Sequence, residues 1–288
     1  MSETQFDNLA GELLEIAKAI GVEAGALIAR RRSEGVEVAQ TKSSAVDVVT
    51  FADRESEDFI RARLAELRPD DGFLGEESAG STGTSGIAWV VDPIDGTVNY
   101  LYDIPAYAVS IAAVQVPDAA LAPDPATWTA LAGVVVNPVL GEVFSASAGG
   151  GAWLNSRNGT RRLAVNTGVE VGKALVGTGF AYDAELRVRQ ADFIRGLVAE
   201  VRDIRRAGSA ALDLCSVAAG RLDAYAERGL NPWDHAAGSL IAREAGAFVG
   251  GFEGAAEGSV LTFAADPVLA EVLAPLVFEL HRSAGLPL

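Results

Sequence analysis

The apolar run Ile87-Ala-Trp-Val-Val91 leads directly into Asp92-Pro-Ile-Asp95-Gly-Thr97, and this junction restricts the chain more than any other stretch. The run reads as a buried strand, which other elements must cover. Proline has no N–H for a ladder, so the strand is expected to end abruptly in a turn at Asp92-Pro93. Two carboxylates three residues apart across that turn can point at one cation. Magnesium wants hard oxygen ligands in near-octahedral geometry and keeps some of its waters. The Ile94 carbonyl offers another oxygen, and Gly96 lets the backbone approach a ligand closely. A helix starting at Thr97 would present free N–H groups and the positive end of its dipole to an anion. A plain turn is equally compatible with Asp-x-x-Asp-Gly.

The rest of the chain alternates between helical and strand patterns. Leu9, Leu13, Ile16, Ile20 and Leu27 recur at helical spacing, predicting a first helix from Phe6 to Arg32. A second helix follows Thr50, with Phe59, Ile60, Leu64 and Leu67 on its apolar face. After the turn Asp70-Asp71-Gly72 come a short strand at Phe73-Leu74 and a loop of small residues, Ala79 to Gly86, expected to be mobile. Tyr107 to Val116, Leu131 to Val136 and Gly141 to Ser147 read as consecutive antiparallel strands. Pro117 to Thr129 is an excursion from the hairpin between the first two. Further strands are expected at Ala174 to Gly177, Asp223 to Ala226 and Val260 to Ala264. Helices are expected at Ala184 to Val201, Ser209 to Ala219, from Pro232, and Asp266 to Arg282. This is a layered α+β or α/β architecture. With 288 residues, 49% of them hydrophobic, it has ample material for two intimate lobes, about 1–148 and 149–288.

Three more acidic positions fall where the chain starts or leaves an element. Glu76-Glu77 follow the short strand, Asp53 lies just inside the second helix, and Asp234 opens another. Each has an ordinary structural reading. Thr50-x-x-Asp53 matches a capping box. Asp234, two residues after Pro232, suits a first helical turn, and Glu76-Glu77 could be a solvated loop pair.

Composition removes some function classes. With 23 basic and 39 acidic residues the formal charge is −16, the opposite of a nucleic-acid footprint. No stretch approaches the ~20 apolar residues of a membrane span, and the first residues lack a signal-peptide layout. The single cysteine, Cys215, reads as a buried core thiol and suits a reducing cytoplasm. His235 and His281, far apart in sequence, read as structural or solvated, with no Ser-His-Asp or Cys-His nucleophile in view.

Taken together, Gly75-Glu-Glu-Ser78, Asp92-Pro-Ile-Asp-Gly-Thr97 and Trp233-Asp-His-Ala-Ala-Gly238 resemble the three signatures of the inositol monophosphatase family, a branch of the lithium-sensitive, magnesium-dependent phosphatases. Thr41-Lys42-Ser43-Ser44, Asp47-Val-Val-Thr50, Gly149 to Asn155 and Gly208-Ser209-Ala210-Ala211 add to the likeness. The run Ser209 to Gly220 with Leu222-Asp-Ala-Tyr225 is similar to bacterial members of the SuhB type. The resemblance spans about residues 6 to 284 and implies an alternating α-β-α-β-α sandwich.

It also implies roles. Glu76, Asp92 and the Ile94 carbonyl would hold a first Mg2+. Asp92, Asp95 and Asp234 would hold a second, with a weaker third ion near Glu76. The N–H groups of Gly96 and Thr97 would bind the phosphate, while Asp53 and the Thr97 hydroxyl, with Glu76, would orient and deprotonate a metal-bound water. Substrate contacts would come from Asp95, Gly208, Ser209, Ala210, Glu227 and Asp234, and from Arg205, with Arg206 as its rival. The implied reaction is hydrolysis of myo-inositol 1-phosphate by in-line attack without a covalent enzyme intermediate. The same chemistry on fructose 1,6-bisphosphate, 3′-phosphoadenosine 5′-phosphate or histidinol phosphate is the first alternative. A regulatory protein that binds transcription or ribosome-assembly factors is the second. A homodimer is expected, with no membrane and no direct nucleic-acid contact. The Pro117 to Thr129 excursion and residues 79–86 depart from the family pattern, and His235 stands where an apolar residue is usual.

Overall fold

The computed structural model describes residues 3–41 and 48–287. Lys42, Ser43, Ser44 and Asp47, part of the supporting resemblance, lie outside the described residues. The element order begins α1 (Glu3–Glu34), β1 (Val38–Thr41), β2 (Val48–Thr50), α2 (Phe51–Leu67), β3 (Gly72–Gly75), β4 (Ile87–Asp95), α3 (Thr97–Tyr102) and β5 (Ala108–Gln115). It continues with β6 (Thr129–Asn137), β7 (Glu142–Ser147), β8 (Gly151–Ser156), β9 (Gly159–Arg162), β10 (Leu175–Gly177), α4 (Ala184–Leu197) and β11 (Asp203–Arg205). Last come α5 (Ala210–Ala218), β12 (Ala224–Glu227), α6 (Pro232–Glu244), β13 (Phe248–Gly250), β14 (Thr262–Ala265) and α7 (Pro267–Ser283).

A seven-stranded sheet runs in the order β3-β4-β5-β6-β7-β8-β9, and a five-stranded sheet in the order β11-β10-β12-β14-β13. Alternation along the central strands decides what covers each face. Trp89, Val91, Val109, Ile111 and Val134 point to one side, where α1 packs through Ala10, Leu13, Ala17, Ile20, Ala24 and Ile28. Ala88, Val90, Val114, Val135 and Phe144 point to the other, against Leu212 and Cys215 of α5 and Ala237 and Leu240 of α6. The opposite sides of α5 and α6 carry Leu214, Val217 and Ala242 onto Tyr225, Val249 and Ala264 of the second sheet. Val176, Ala226 and Phe263 on its far face meet Phe193 and Leu197 of α4 and Leu273 and Val277 of α7. The result is the α-β-α-β-α sandwich. Each fully buried Leu, Ile or Phe in these layers contributes roughly 1.5–3 kcal/mol.

Several expectations change in detail. The first helix turns its small residues inward, so Leu9 and Ile16 only flank the buried face. The loop 79–86 is tied down: Ser81 and Phe73 exchange backbone hydrogen bonds of 2.8 Å in both directions, and Thr84 N–H donates to the Asp70 carbonyl at 2.7 Å. The boundary drawn near residue 148 falls between β7 and β8 of one sheet, and the second sheet begins at Leu175. The short strands β1, β2, β8, β9, β11 and β13 have no counterpart in the sequence pattern, each being completed by pairing with a neighbour. The Pro117 to Thr129 excursion does connect paired antiparallel neighbours, β5 and β6. Among the described residues no helix is long and apolar enough to cross a membrane.

Candidate active site

The strand β4 does not stop at Pro93. It continues to Asp95, and its pairing with β5 slips between Asp92↔Ser110 and Asp95↔Ala108. Three steps on β4 face two on β5, which is a one-residue bulge. In a regular strand, residues an odd number apart point to opposite faces. The extra residue cancels that alternation, so Asp92 and Asp95 both line one cavity of about 470 Å³. The unpaired position is the one a proline tolerates, since Pro93 has no N–H to lose. Asp92 Oδ1 accepts the Ile94 N–H at 2.9 Å, which fixes the bend.

Gly96 follows with φ 95° and ψ 41°, a left-handed conformation costly for other residues. A Cβ there would also lie 2.9 Å from the Ala106 carbonyl oxygen and 3.1 Å from that of Gly208. Thr97 then opens the six-residue helix α3, as the sequence suggested. The Thr97 hydroxyl lies 3.1 Å from both Asp53 Oδ1 and the Ile94 carbonyl oxygen. Asp53 is fully buried behind it, its other oxygen accepting the Thr50 N–H at 2.8 Å and hydroxyl at 2.5 Å. The capping box and the proximity to Thr97 are therefore both present in one carboxylate.

The remaining carboxylates arrive from three other places. Glu76 lines the cavity from the loop after β3. That loop is clamped by α2: Glu57 accepts the Glu77 N–H at 2.8 Å and the Ser78 hydroxyl, and Arg61 donates to Ser78 Oγ and the Ala79 carbonyl at 2.7 Å. Asp234, in the first turn of α6, accepts the Asn231 N–H at 2.7 Å and lines the cavity. Glu227, at the end of β12, faces them from the second sheet and accepts the Tyr225 hydroxyl at 2.5 Å. Asp95 closes the gap between the sheets: its Oδ2 accepts the Ser209 hydroxyl at 2.6 Å and the Ala211 N–H at 2.7 Å.

These groups share a strongly negative, poorly hydrated space. Burial pushes the Asp92 carboxyl well above its ordinary range, and Glu76, Asp95, Asp234 and Asp53 push it further. Burial does the same to Asp234, helped by Glu76 and Asp95 and opposed by the Asn231 N–H. Asp95 is driven up to about 6 by burial, against its bonds from Ser209, Ala211 and Ala210. Asp53 rises to about 7, burial outweighing the Thr50 bonds. Glu227 also rises to about 7 by burial, against Tyr225 and Arg206.

No Lys or Arg forms an ion pair with Asp53, Asp92, Asp95 or Asp234 among the described residues. Charges so buried need compensation, and an all-oxygen donor set suits a hard divalent cation. Among the described residues no three His, Cys, Asp or Glu side chains stand close enough together to hold a metal ion by themselves. A cation such as Mg2+ does not require such a cluster, because it retains waters and takes substrate phosphate oxygens. The donor set fits.

The remaining expected contacts divide. Gly208 and Ala210 line the cavity, while Ser209 sits behind it on Asp95. Arg206 lines the cavity, and Arg205 does not: its guanidinium turns away to Asp203, 2.5 Å, and the Ile204 carbonyl, 2.9 Å. Alternation along the end of β11 sends neighbouring side chains opposite ways. Sequence reasoning overlooked Glu57, the wall Gly179 to Asp183, Arg228 and the buried Asp213. Asp213 left a trace as a lone acid inside the apolar helix Ala210–Ala218. Both histidines are buried and structural, and Cys215 is buried as expected.

Comparison with known proteins bears on what this cavity does. The family model described as "Inositol monophosphatase family" matches residues 10–282. "Inositol-1-monophosphatase SuhB" of Mycobacterium tuberculosis is 46% identical over 261 residues, covering 85% of this chain and 86% of that one. "Nus factor SuhB" of Pseudomonas aeruginosa is 39% identical over 255 residues, covering 85% and 87%. The solved structure of Mycobacterium tuberculosis SuhB superposes with a TM-score of 0.76 at 41% identity, covering 95% and 97% of the two chains.

Proposed function

The chain belongs to the inositol monophosphatase family, a family of phosphoric monoester hydrolases, and on that premise we propose that it hydrolyses myo-inositol 1-phosphate to inositol and phosphate with Mg2+ as cofactor. The observation that carries this reading is the bulge in β4, which turns Asp92 and Asp95 into one cavity with Glu76 and Asp234. In it, Glu76, Asp92, the Ile94 carbonyl, Asp95 and Asp234 would hold the two or three ions of this reading. When bound, these would neutralise phosphoryl oxygens and lower the pKa of the attacking water.

The chain's own groups do the positioning. The Gly96 and Thr97 N–H groups hold the phosphate, a role supported by the left-handed turn at Gly96 that starts α3 at the cavity. The Thr97 hydroxyl orients the attacking water and relays its proton to Asp53; their 3.1 Å hydrogen bond and the elevated Asp53 carboxyl support this. On the leaving-group side Glu227 accepts hydroxyl hydrogens of the polyol, and Arg206, rather than Arg205, is the arginine of the substrate wall. Asp95, held by Ser209 and Ala211, couples the two sides. Departure of the alcohol requires a proton, drawn from solvent and balanced by the one that Asp53 takes from the attacking water and returns to solvent.

Phosphate release from a panel of monoesters and bisphosphates, with and without Mg2+, tests the assignment. Preference for myo-inositol 1-phosphate that depends on Mg2+ is expected. A clear preference for fructose 1,6-bisphosphate, 3′-phosphoadenosine 5′-phosphate or histidinol phosphate would overturn the substrate, and full turnover in EDTA would overturn the metal. The same reading takes the protein as a cytoplasmic homodimer, which size-exclusion chromatography with light scattering and cell fractionation check. The relative named "Nus factor SuhB" favours one second reading, a role in binding transcription factors. Partners retained by a metal-site variant in a lysate pull-down would support it.

A further inference from the structure

Two arginines, Arg228 of the cavity lining and the exposed Arg189 of α4, converge on the carbonyls of one short segment near the end of the described chain. Arg228, directly after Glu227, lines the cavity, and its Nη1 donates to the Pro287 carbonyl at 2.5 Å and the Val260 carbonyl at 3.1 Å. Its Nη1 also lies 3.5 Å from His281 Nε2, on α7. From α4, whose start lines the cavity through Asp183 and Leu186, the exposed Arg189 donates to the Gly285 carbonyl at 2.7 Å. Between these two carbonyls Leu286 is 5% exposed, in the same core cluster as Phe193 and Leu197 of α4. The segment Gly285–Pro287 thus joins the element that carries Asp183 and Leu186 to the loop that runs from Glu227 to Asn231.

The loop has few other restraints on this side. Gly229 N–H donates to the Ser259 carbonyl at 2.9 Å, and Asn231 caps α6 through Asp234. Hydrogen bonds from a charged donor to backbone carbonyls are among the stronger ones available, and here they are made where Arg228 loses hydration. We propose that Gly285–Pro287 is a positioning strap: by anchoring Arg228 and Arg189 it sets the distance between the Glu227 loop and the Gly179–Asp183 wall, and so determines how well the cavity grips the alcohol part of its substrate. The inference rests on the phosphatase reading above. It makes Arg228 a positioning residue, acting on Glu227, and leaves the phosphate and cation side untouched.

Two substitutions outside the cavity release the strap. Leu286→Asp expels its buried anchor, and Arg189→Ala removes the surface hydrogen bond with little risk to folding. Hydrogen–deuterium exchange is expected to accelerate at 228–231 and 179–186 in both variants, and not at 92–97. The KM for myo-inositol 1-phosphate is expected to rise about tenfold, while kcat/KM for p-nitrophenyl phosphate stays within twofold. Adding Arg228→Ala to Leu286→Asp should raise KM no further, because both act through one contact. Unchanged exchange in the two segments, or fully additive KM effects, would overturn the proposal. If the wild type prefers some other phosphate ester, the substrate assignment fails alone, and the exchange data still decide the strap.

Discussion

Asp95 on β4 and Ser209 at the start of α5 lie 114 residues apart in sequence and 2.6 Å apart in space. Through this bond and the Ala211 N–H, one carboxylate belongs both to the seven-stranded sheet and to the helix layer that faces the second sheet. Removing the hydroxyl leaves a buried carboxylate with one donor fewer, which costs about 1–3 kcal/mol. Ser209→Ala is therefore expected to lower the melting temperature by several degrees. It is also expected to raise the Mg2+ concentration for half-maximal activity, since the orientation of Asp95 is then less restricted. Calorimetry and a Mg2+ titration of turnover check both; an unchanged Mg2+ requirement would show that the Ala210 and Ala211 N–H groups suffice to hold Asp95.

Asp92→Asn should separate function from stability. The asparagine can still accept the Ile94 N–H, and it removes one of several mutually repelling buried charges. In EDTA the variant is expected to melt at or above the wild-type temperature. Turnover should fall at least ~10³-fold, because the proposed bridge between ions is gone. Added Mg2+ is expected to stabilise the wild type by RT ln(1 + [L]/Kd), about 2.7 kcal/mol at a hundred times Kd, and this gain should vanish in the variant. Near-normal activity would remove Asp92 from the catalytic site.

The position of Glu76 depends on a residue that carries no charge. A Cβ on Gly75 would come within 2.3 Å of the Glu57 carboxylate, the group that clamps the next loop residues. Gly75→Ala must displace either Glu57 or the strand end, at a cost of about 1–3 kcal/mol. Activity is expected to fall about a hundredfold with a raised Mg2+ requirement. Glu57→Gln, which keeps the shape, should lose less than tenfold.

The two histidines make an acid-labile contribution. Burial lowers both His235 and His281 from 6.5 to about 4, so each is neutral in the fold and protonates more readily once unfolded. The unfolded chain binds the extra protons between about pH 6.5 and 4, so stability is present above that window and is lost as pH falls through it. The raised carboxylates act in the opposite sense, losing stability as pH rises through their folded values. The histidine part is therefore read as a difference. Replacing both by Gln should flatten the drop in urea midpoint between pH 7 and pH 5 measured in saturating Mg2+. An identical drop in wild type and variant would mean that other groups carry it.

Much of this arrangement was legible in residue order because local chemistry specified it. Thr50-x-x-Asp53 formed its cap, Pro232 opened α6, and the strands from Ala108 to Ser147 paired in the expected order. What stayed hidden depended on register or on distant partners. The apolar run before Asp92 reads as a strand, but a bulge is defined only by counting residues on the partner strand, from Ser110 to Ala108. Arg205 and Arg206 differ by one step along a strand end, which sequence cannot orient without its neighbours. Glu57 looks like any helical acid until the loop at Ser78 folds over it. The short strands β9 and β13 owe their existence to the sheets they complete, not to their own composition.

The opposite wall offers a test of substrate recognition that leaves the cation side alone. Gly179 does not have a left-handed φ, yet a Cβ on it would fall 2.0 Å from Glu227 Oε1. The missing Cβ lets the chain just after β10 pass close to the Glu227 carboxylate, which is otherwise held by the Tyr225 hydroxyl. Gly179→Ala must push Glu227 out of that position or prop the wall outward. If Glu227 grips the polyol, KM for myo-inositol 1-phosphate should rise about tenfold or more, equivalent to ~1.4 kcal/mol of lost binding. Turnover of p-nitrophenyl phosphate, which has no hydroxyls to present, should change less than twofold. Glu227→Gln would give the same split with the backbone undisturbed, since an amide keeps one acceptor but loses the charge. Equal losses on both substrates in both variants would assign Glu227 to the phosphate side of the reaction and remove the basis for polyol selectivity at this wall.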